Sequence, residues 1–208
     1  MRTFYIAGVV LILALLSGCE SQEGLFVYAV FEYCDGDGYF FGYFLDDWGR
    51  DITDDVQITI NDSRSFTPVD TSRYFLSEVY PGAQFRVKFK SPDYPDVETS
   101  VKIPEGFSLI KFDGVINSGE KDTIIWETSG ELPQYWEIFI QERERGFTWF
   151  RYYDSEDTLA IIEDNIFNFS GTYQIIIEAL NFSDTDKASS RSKIVGVYSI
   201  ERNYTVNR

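Results

Sequence analysis

The stretch Phe85-Arg86-Val87-Lys88-Phe89-Lys90 alternates apolar and charged side chains without a break. Successive side chains of a β-strand point to opposite faces, so this pattern predicts a strand with one face in a core and the other in water. The same alternation occurs upstream at 56–61 and downstream at 97–103. The first half of the chain is therefore expected to contain two-faced β-strands.

Turn residues frame these strands on both sides. Upstream, Asp35-Gly36-Asp37-Gly38 separates the apolar runs Leu25–Cys34 and Tyr39–Leu45, which predicts a hairpin because glycine and aspartate tolerate positive φ. An acidic loop at 46–55 follows, and another short strand is expected at 73–79. Downstream, Pro104-Glu105-Gly106 interrupts the pattern and predicts a domain boundary.

The second half continues in the same style. Strands are expected at 123–126, 135–141, 147–153, 158–162, 171–180 and 193–200, with a solvated hairpin end at 142–146. No stretch shows a helical period of useful length. Short strands at regular spacing with turn signals between them are typical of β-sandwiches, so the chain is expected to be all-β.

Two local patterns in this half resemble a known family. Trp126, preceded by two isoleucines and followed by Pro133, resembles the early strands of fibronectin type III and similar immunoglobulin-like domains. Phe169-Ser170-Gly171-Thr172-Tyr173 resembles the later corner of that family, where a tyrosine hydrogen-bonds the backbone of the preceding connection. In the first half, residues 79–87 carry a weaker likeness, with Phe85 in place of the tyrosine.

The resemblance implies two tandem immunoglobulin-like (fibronectin type III-like) β-sandwiches, at 25–105 and 106–208. Trp126, Tyr173 and Phe85 are then expected to be core residues rather than ligand contacts.

Composition supports packed cores and excludes one class of partner. Of the 208 residues 44% are hydrophobic and 17% aromatic, and aromatic enrichment favours strands. The formal net charge is −16. Such a surface repels phosphate backbones, so a nucleic-acid partner is not expected.

The N-terminus resembles the signal segment of bacterial lipoproteins. Arg2 precedes an apolar run from Phe4 to Leu16, and Leu16-Ser17-Gly18-Cys19 resembles a lipobox, whose cysteine becomes the lipidated first residue. The resemblance implies a signal peptide at 1–18, a lipidated tether at 19–24 and membrane attachment through lipid on Cys19. An ordinary secretory signal with a chance cysteine is the alternative.

An enzymatic function is not expected. The chain has no histidine, which excludes Ser-His and Cys-His arrangements and histidine-bearing zinc sites. A carboxylate pair for hydrolysis remains formally open, since 34 acidic residues contain many pairs. With Cys19 lipidated, Cys34 has no disulfide partner, and its place in an apolar run indicates a packed residue.

Calcium is the one cofactor that the sequence suggests. Asp35, Asp37, Asp46 and Asp47 fall in two neighbouring turns, and calcium takes carboxylate oxygens. The EF-hand pattern fails, because Tyr39 occupies a position that requires an oxygen ligand. Acidic loops without a metal are common, and no cofactor is the simpler expectation.

Two tryptophans are candidate ligand-binding residues. Trp48 lies in the acidic loop, and Trp149 lies in the aromatic stretch 147–153. Aromatic faces beside carboxylates suit stacking on sugars or a protein hot spot. Packing of Trp149 inside its own sandwich is the alternative.

Together these features predict a non-catalytic lipoprotein at the bacterial outer membrane or cell surface that binds a protein partner or serves as a structural element of the envelope. Glycan binding through the exposed aromatics and the acidic loop is the alternative function.

Overall fold

The computed structural model describes residues 24–68, 73–142, 147–185 and 187–208. The predicted signal peptide, Cys19 and the hairpin end at 143–146 lie outside these ranges. The described residues form fifteen strands: β1 Phe26–Cys34, β2 Asp37–Leu45, β3 Gln57–Ile60, β4 Arg64–Phe66, β5 Tyr74–Phe75, β6 Gln84–Ser91, β7 Tyr94–Lys102, β8 Phe107–Lys111, β9 Val115–Asn117, β10 Lys121–Thr128, β11 Tyr135–Glu142, β12 Phe147–Asp154, β13 Leu159–Glu163, β14 Gly171–Ser183 and β15 Lys193–Asn207.

These strands form one large sheet and two small ones. The large sheet has the order β12-β11-β14-β15-β1-β2-β5, with β9 also paired to β15. The small sheets have the orders β4-β3-β6-β7 and β13-β10-β8. Each small sheet packs against a different half of the large one, and the prediction of an all-β chain built of sandwiches is confirmed.

The first hairpin shows why the sequence turns where it does. Asp35 has a φ of 54° and Gly36 a φ of 95°. Two successive residues with positive φ form the two-residue turn that matches the twist of antiparallel strands. The turn sets the pairing of β1 with β2, in which Phe31 lies opposite Phe40 and Ala29 opposite Gly42.

Two separate cores hold the sandwiches together. The first contains the inward side chains of β1, β2, β3, β6 and β7, including Phe85, which is 4% exposed. The second contains Trp126, Trp136 and Tyr173, each no more than 1% exposed. Phe85, Trp126 and Tyr173 are therefore core residues, as predicted.

Tyr173 also makes the predicted corner. Its hydroxyl donates a hydrogen bond of 3.0 Å to the carbonyl oxygen of Phe169, in the connection that precedes β14. The ring meanwhile packs edge-on against Phe167 with ring centroids 4.9 Å apart. This bond ties the connection to the strand that it enters.

The large sheet runs through both sandwiches, which the tandem prediction does not contain. β1 pairs in parallel with the first half of β15, from Tyr28 opposite Lys193 to Cys34 opposite Ser199. Ile194 of β15 lies in the first core. The two cores separate between Ile103 and Phe107, but the first sandwich is completed by a strand of the second.

Gly196 of β15 lies close against the backbone of the first sandwich. A Cβ at Gly196 would lie 2.3 Å from the carbonyl oxygen of Lys102, at the end of β7. Nearby, the Thr99 hydroxyl donates to the carbonyl oxygen of Asp184 at 2.6 Å. The absence of a side chain at Gly196 lets β15 pass beneath β7 and continue into the second sandwich.

No described helix is long and apolar enough to cross a bilayer.

Candidate functional site

The four predicted calcium ligands lie at two distant places. Asp35 and Asp37 are at the β1–β2 hairpin, whereas Asp46 and Asp47 follow the other end of β2. At about 3.4 Å per residue, a nine-residue strand holds its two ends roughly 27 Å apart. Within the described ranges, no three His, Cys, Asp or Glu side chains gather as a metal site. The four aspartates cannot bind one ion together, and for each pair alone the expectation stays that of no cofactor.

Asp46 instead organises a tight turn, Asp46–Arg50, which we call the Trp48 turn. One oxygen of its side chain accepts the backbone N–H of Trp48 at 2.9 Å and that of Arg50 at 2.8 Å. The Arg50 guanidinium binds the other oxygen at 2.5 Å. Burial works to raise the pKa of Asp46, but these hydrogen bonds outweigh it and hold the pKa below its ordinary value.

The Trp48 turn is fixed to the body of the protein on two sides. The backbone N–H of Asp47 donates to the Tyr94 hydroxyl at 3.0 Å, at the start of β7. The Asp47 carboxylate accepts the backbone N–H of Gly24 at 3.0 Å, just before β1. Trp48 itself projects into solvent and is 83% exposed. The predicted candidate is thus an exposed ring on a well-held turn.

Trp149 lies in a different setting, at the open side of the second sandwich. It is half-buried and packs against the second core. It also lines a groove of about 420 Å³ between β12 and β13, here called the Trp149 groove. The other lining residues are Arg151, Ile161, Glu163 and Ile166. Trp149 therefore packs partly against the core of its own sandwich and partly lines the groove, and its role in ligand binding stays a prediction.

Four further aromatic rings lie together on the face of the large sheet that is turned away from both small sheets. We call this face the outer face and the four rings, Tyr135, Phe150, Tyr152 and Phe182, the aromatic strip. The registers of β11 with β12 and β14 place all four side chains on this face. They form two edge-to-face pairs with ring centroids 5.9 Å and 6.2 Å apart, and they are 37–45% exposed.

A pair of glutamates lies beside the aromatic strip. Glu137 of β11 is directly opposite Glu178 of β14, and the next residue in this row is Ser199 of β15. Ser199 donates to the carboxylate of Glu32 on β1 at 2.8 Å, and Arg73 pairs with the other oxygen of Glu32. Glu137 and Glu178 are 7% and 6% exposed. A row of polar groups thus crosses an otherwise apolar face.

The pKa values of both glutamates in this pair are raised. Burial raises the pKa of Glu137 to about 7, while a hydrogen bond from Tyr152 acts in the opposite direction. Burial, followed by the negative charges of Glu137, Glu32 and Glu201, raises the pKa of Glu178 well above its ordinary value. Two carboxylates in direct register share a low-dielectric surface, so ionising the second costs more than ionising the first.

Sequence reasoning missed the glutamate pair and the aromatic strip. The available signal is a lone acid inside an apolar run, as in Tyr135–Gln141 around Glu137 and in Gly171–Leu180 around Glu178. Only the strand pairing shows that the two acids meet. Cys34, in contrast, is buried as expected, and burial raises the pKa of its thiol to about 12.

Comparison with known proteins gives no family and two distantly similar solved structures. No family model and no curated protein matches the chain. Among solved structures, the chain is similar to the FN1–FN3 domains of chicken CNTN1, with 11% identity and a TM-score of 0.29 over 86% of this chain and 63% of that one. It thus spans less than two thirds of that structure.

A second similar structure is the two-domain fibronectin type III segment from chicken tenascin. It is 11% identical with a TM-score of 0.27, over 86% of this chain and 94% of that one. A likeness at this level says nothing about what the chain binds. The assignment as an all-β sandwich protein rests on the three sheets described above.

Proposed function

We propose that this chain is a non-catalytic lipoprotein of the bacterial envelope, attached through lipid on Cys19 at the outer membrane or cell surface, and that its outer face binds a protein partner. The lipobox-like stretch Leu16–Cys19 supports the attachment. The aromatic strip supports the partner.

The aromatic strip is the observation that carries the binding proposal. Monomeric proteins rarely leave contiguous apolar patches in solvent, and protein interfaces are enriched in aromatic residues. Here Tyr135, Phe150, Tyr152 and Phe182 offer such a patch beside buried Phe139 and Leu180. Large rigid rings around a well-packed centre are the usual composition of a binding hot spot.

The partner we propose is an extended segment that pairs with β12. This eight-residue strand ends the large sheet, and among the described strands only β11 pairs with it. A sheet edge presents unpaired backbone N–H and C=O groups that an added strand can use. Alternate side chains of that added strand would then lie on the aromatic strip and in the Trp149 groove, on the two faces of β12.

Site-specific photo-crosslinking in the native envelope tests this proposal. A photoreactive residue at Tyr152 is expected to capture one discrete protein, and the same adduct is expected to disappear when Phe150→Asp is added. The matched control position is Ile110, which is 60% exposed on β8, in the small sheet β13-β10-β8. Equal capture at 152 and 110, or an adduct that survives Phe150→Asp, would contradict the proposal.

Glycan recognition is the second candidate function, and the Trp149 groove favours it. An aromatic wall beside Arg151 and Glu163 offers stacking and charged hydrogen-bond partners in one concave site. A glycan array probed with the wild-type chain and with Trp149→Ala tests it. A signal that is lost in Trp149→Ala would favour glycan recognition. No signal above background would contradict glycan recognition, and the protein-binding function would remain.

A further inference from the structure

We propose that Trp48 is a second membrane contact, a ring that lies in the headgroup region of the same membrane that holds the lipid on Cys19. This inference rests on the lipid attachment proposed above. It assigns Trp48 a lipid surface as its ligand, in place of a glycan or a protein.

The first step in the argument is distance. Gly24 is the first residue that the structure describes, and its backbone N–H is bound to the Asp47 carboxylate at 3.0 Å. Five residues after Cys19 therefore bring the chain to the Trp48 turn. A fully extended chain covers at most about 3.3–3.6 Å per residue, so five residues reach no more than about 18 Å. An acyl-modified Cys19 would hold Gly24, and with it the Trp48 turn to which Gly24 is bonded, close to the bilayer surface.

The second step is direction. Phe26 of β1 pairs with Leu45 of β2, and the Trp48 turn begins directly after Leu45. The turn therefore lies at the end of the large sheet where the chain arrives from Cys19. The backbone N–H groups of Asp47 and Trp48 donate to Tyr94 and Asp46 and so fix the backbone of the turn at this end. Trp48 is 83% exposed, so its ring is not packed against the body of the protein.

The third step is chemistry. Tryptophan concentrates at membrane–water interfaces, because its broad apolar ring and its N–H suit the headgroup level. Of the four tryptophans, Trp126 and Trp136 are buried and Trp149 is half-buried, whereas Trp48 is 83% exposed. The neighbouring carboxylates of Asp46 and Asp47 are already engaged with protein N–H groups. An acidic chain avoids anionic lipid, so the expected surface is zwitterionic.

Fluorescence quenching by brominated lipids tests the inference. The protein is extracted from bacterial membranes in its acylated form and reconstituted in phosphatidylcholine vesicles, with or without bromine near the headgroup end of the acyl chains. Brominated lipid is expected to lower the emission by up to about a quarter, the share of one tryptophan in four if all emit equally. Trp48→Phe should abolish this quenching, and Trp149→Phe, the matched control, should retain it.

The outcomes separate the inference from the proposal on which it rests. A chain that does not sediment with vesicles lacks the lipid attachment, which overturns both. A chain that sediments but emits equally in brominated and ordinary lipid retains its attachment and overturns the role of Trp48. Quenching that persists in Trp48→Phe also overturns it.

Discussion

Replacing Glu137 by glutamine tests the charge properties of the outer face directly. In the folded protein burial raises the pKa of Glu137 to about 7, compared with an ordinary value of 4.5. The folded state therefore binds a proton that the unfolded state releases across this range. The stabilisation is fully present below the ordinary pKa and is lost as pH rises through the folded-state pKa, so wild-type stability falls as pH increases.

The magnitude follows from the size of the shift. One pKa unit corresponds to about 1.4 kcal/mol, so the free energy of unfolding should fall by about 2 kcal/mol between pH 5.5 and pH 8 on account of Glu137. Glu178 acts in the same direction. Glutamine has nearly the same shape as glutamate and does not ionise. Glu137→Gln should therefore be more stable than wild type at pH 8, and its excess free energy of unfolding over wild type should be much smaller at pH 5.5.

Urea unfolding followed by tryptophan fluorescence at both pH values measures this difference. The isoelectric point of the sequence is about 4.3. Solubility is lowest at the isoelectric point, and both pH values lie above it. Glu163→Gln is the matched control, because Glu163 pairs with Lys121 and its pKa is lowered. An equal effect of Glu137→Gln at the two pH values would refute the reasoning.

Three further predictions concern the fold and the metal. Tyr173→Phe removes the hydroxyl bond to Phe169 and should lower the free energy of unfolding by about 1 kcal/mol in denaturant titration, and unchanged stability would contradict the corner assignment. Gly196→Val forces a side chain against the Lys102 carbonyl and should lower the free energy of unfolding by about 1–3 kcal/mol. In calorimetry both sandwiches should unfold in one transition, and two separate transitions would disprove their coupling. The melting temperature should be the same in EDTA and in excess calcium, because the four candidate aspartates lie at opposite ends of β2, and a rise in calcium would show that one pair binds it.

Local features of the fold were predictable because each depends on a few residues that are close together in the sequence. The alternation at 85–90 gave β6, and Asp35-Gly36 gave the first hairpin. Trp126 and Tyr173 were assigned to the core from their surroundings in sequence. Each of these depends on side-chain period, turn chemistry or a local pattern.

Strand pairing over long separations could not be predicted. β1 and β15 are about 165 residues apart in sequence, and nothing in the run Phe26–Cys34 indicates a parallel neighbour. Short strands such as β4 and β9 were missed because three residues carry no readable period. The glutamate pair and the aromatic strip depend on the same registers. The candidate site was therefore only partly predictable, through single exposed or half-buried rings such as Trp48 and Trp149.

The parallel pairing of β1 with β15 also determines how the molecule would carry mechanical load. If the chain is held at its N-terminus and pulled by a partner on β12, tension enters β1 along its own axis and leaves through the other half of the same sheet. The backbone bonds of the seven paired positions from Tyr28 to Cys34 would then be strained together in shear, not opened one after another. Paired strands loaded in shear resist extension better than strands peeled apart one bond at a time, so with the proposed membrane attachment and partner the large sheet would be the tension-bearing link between them.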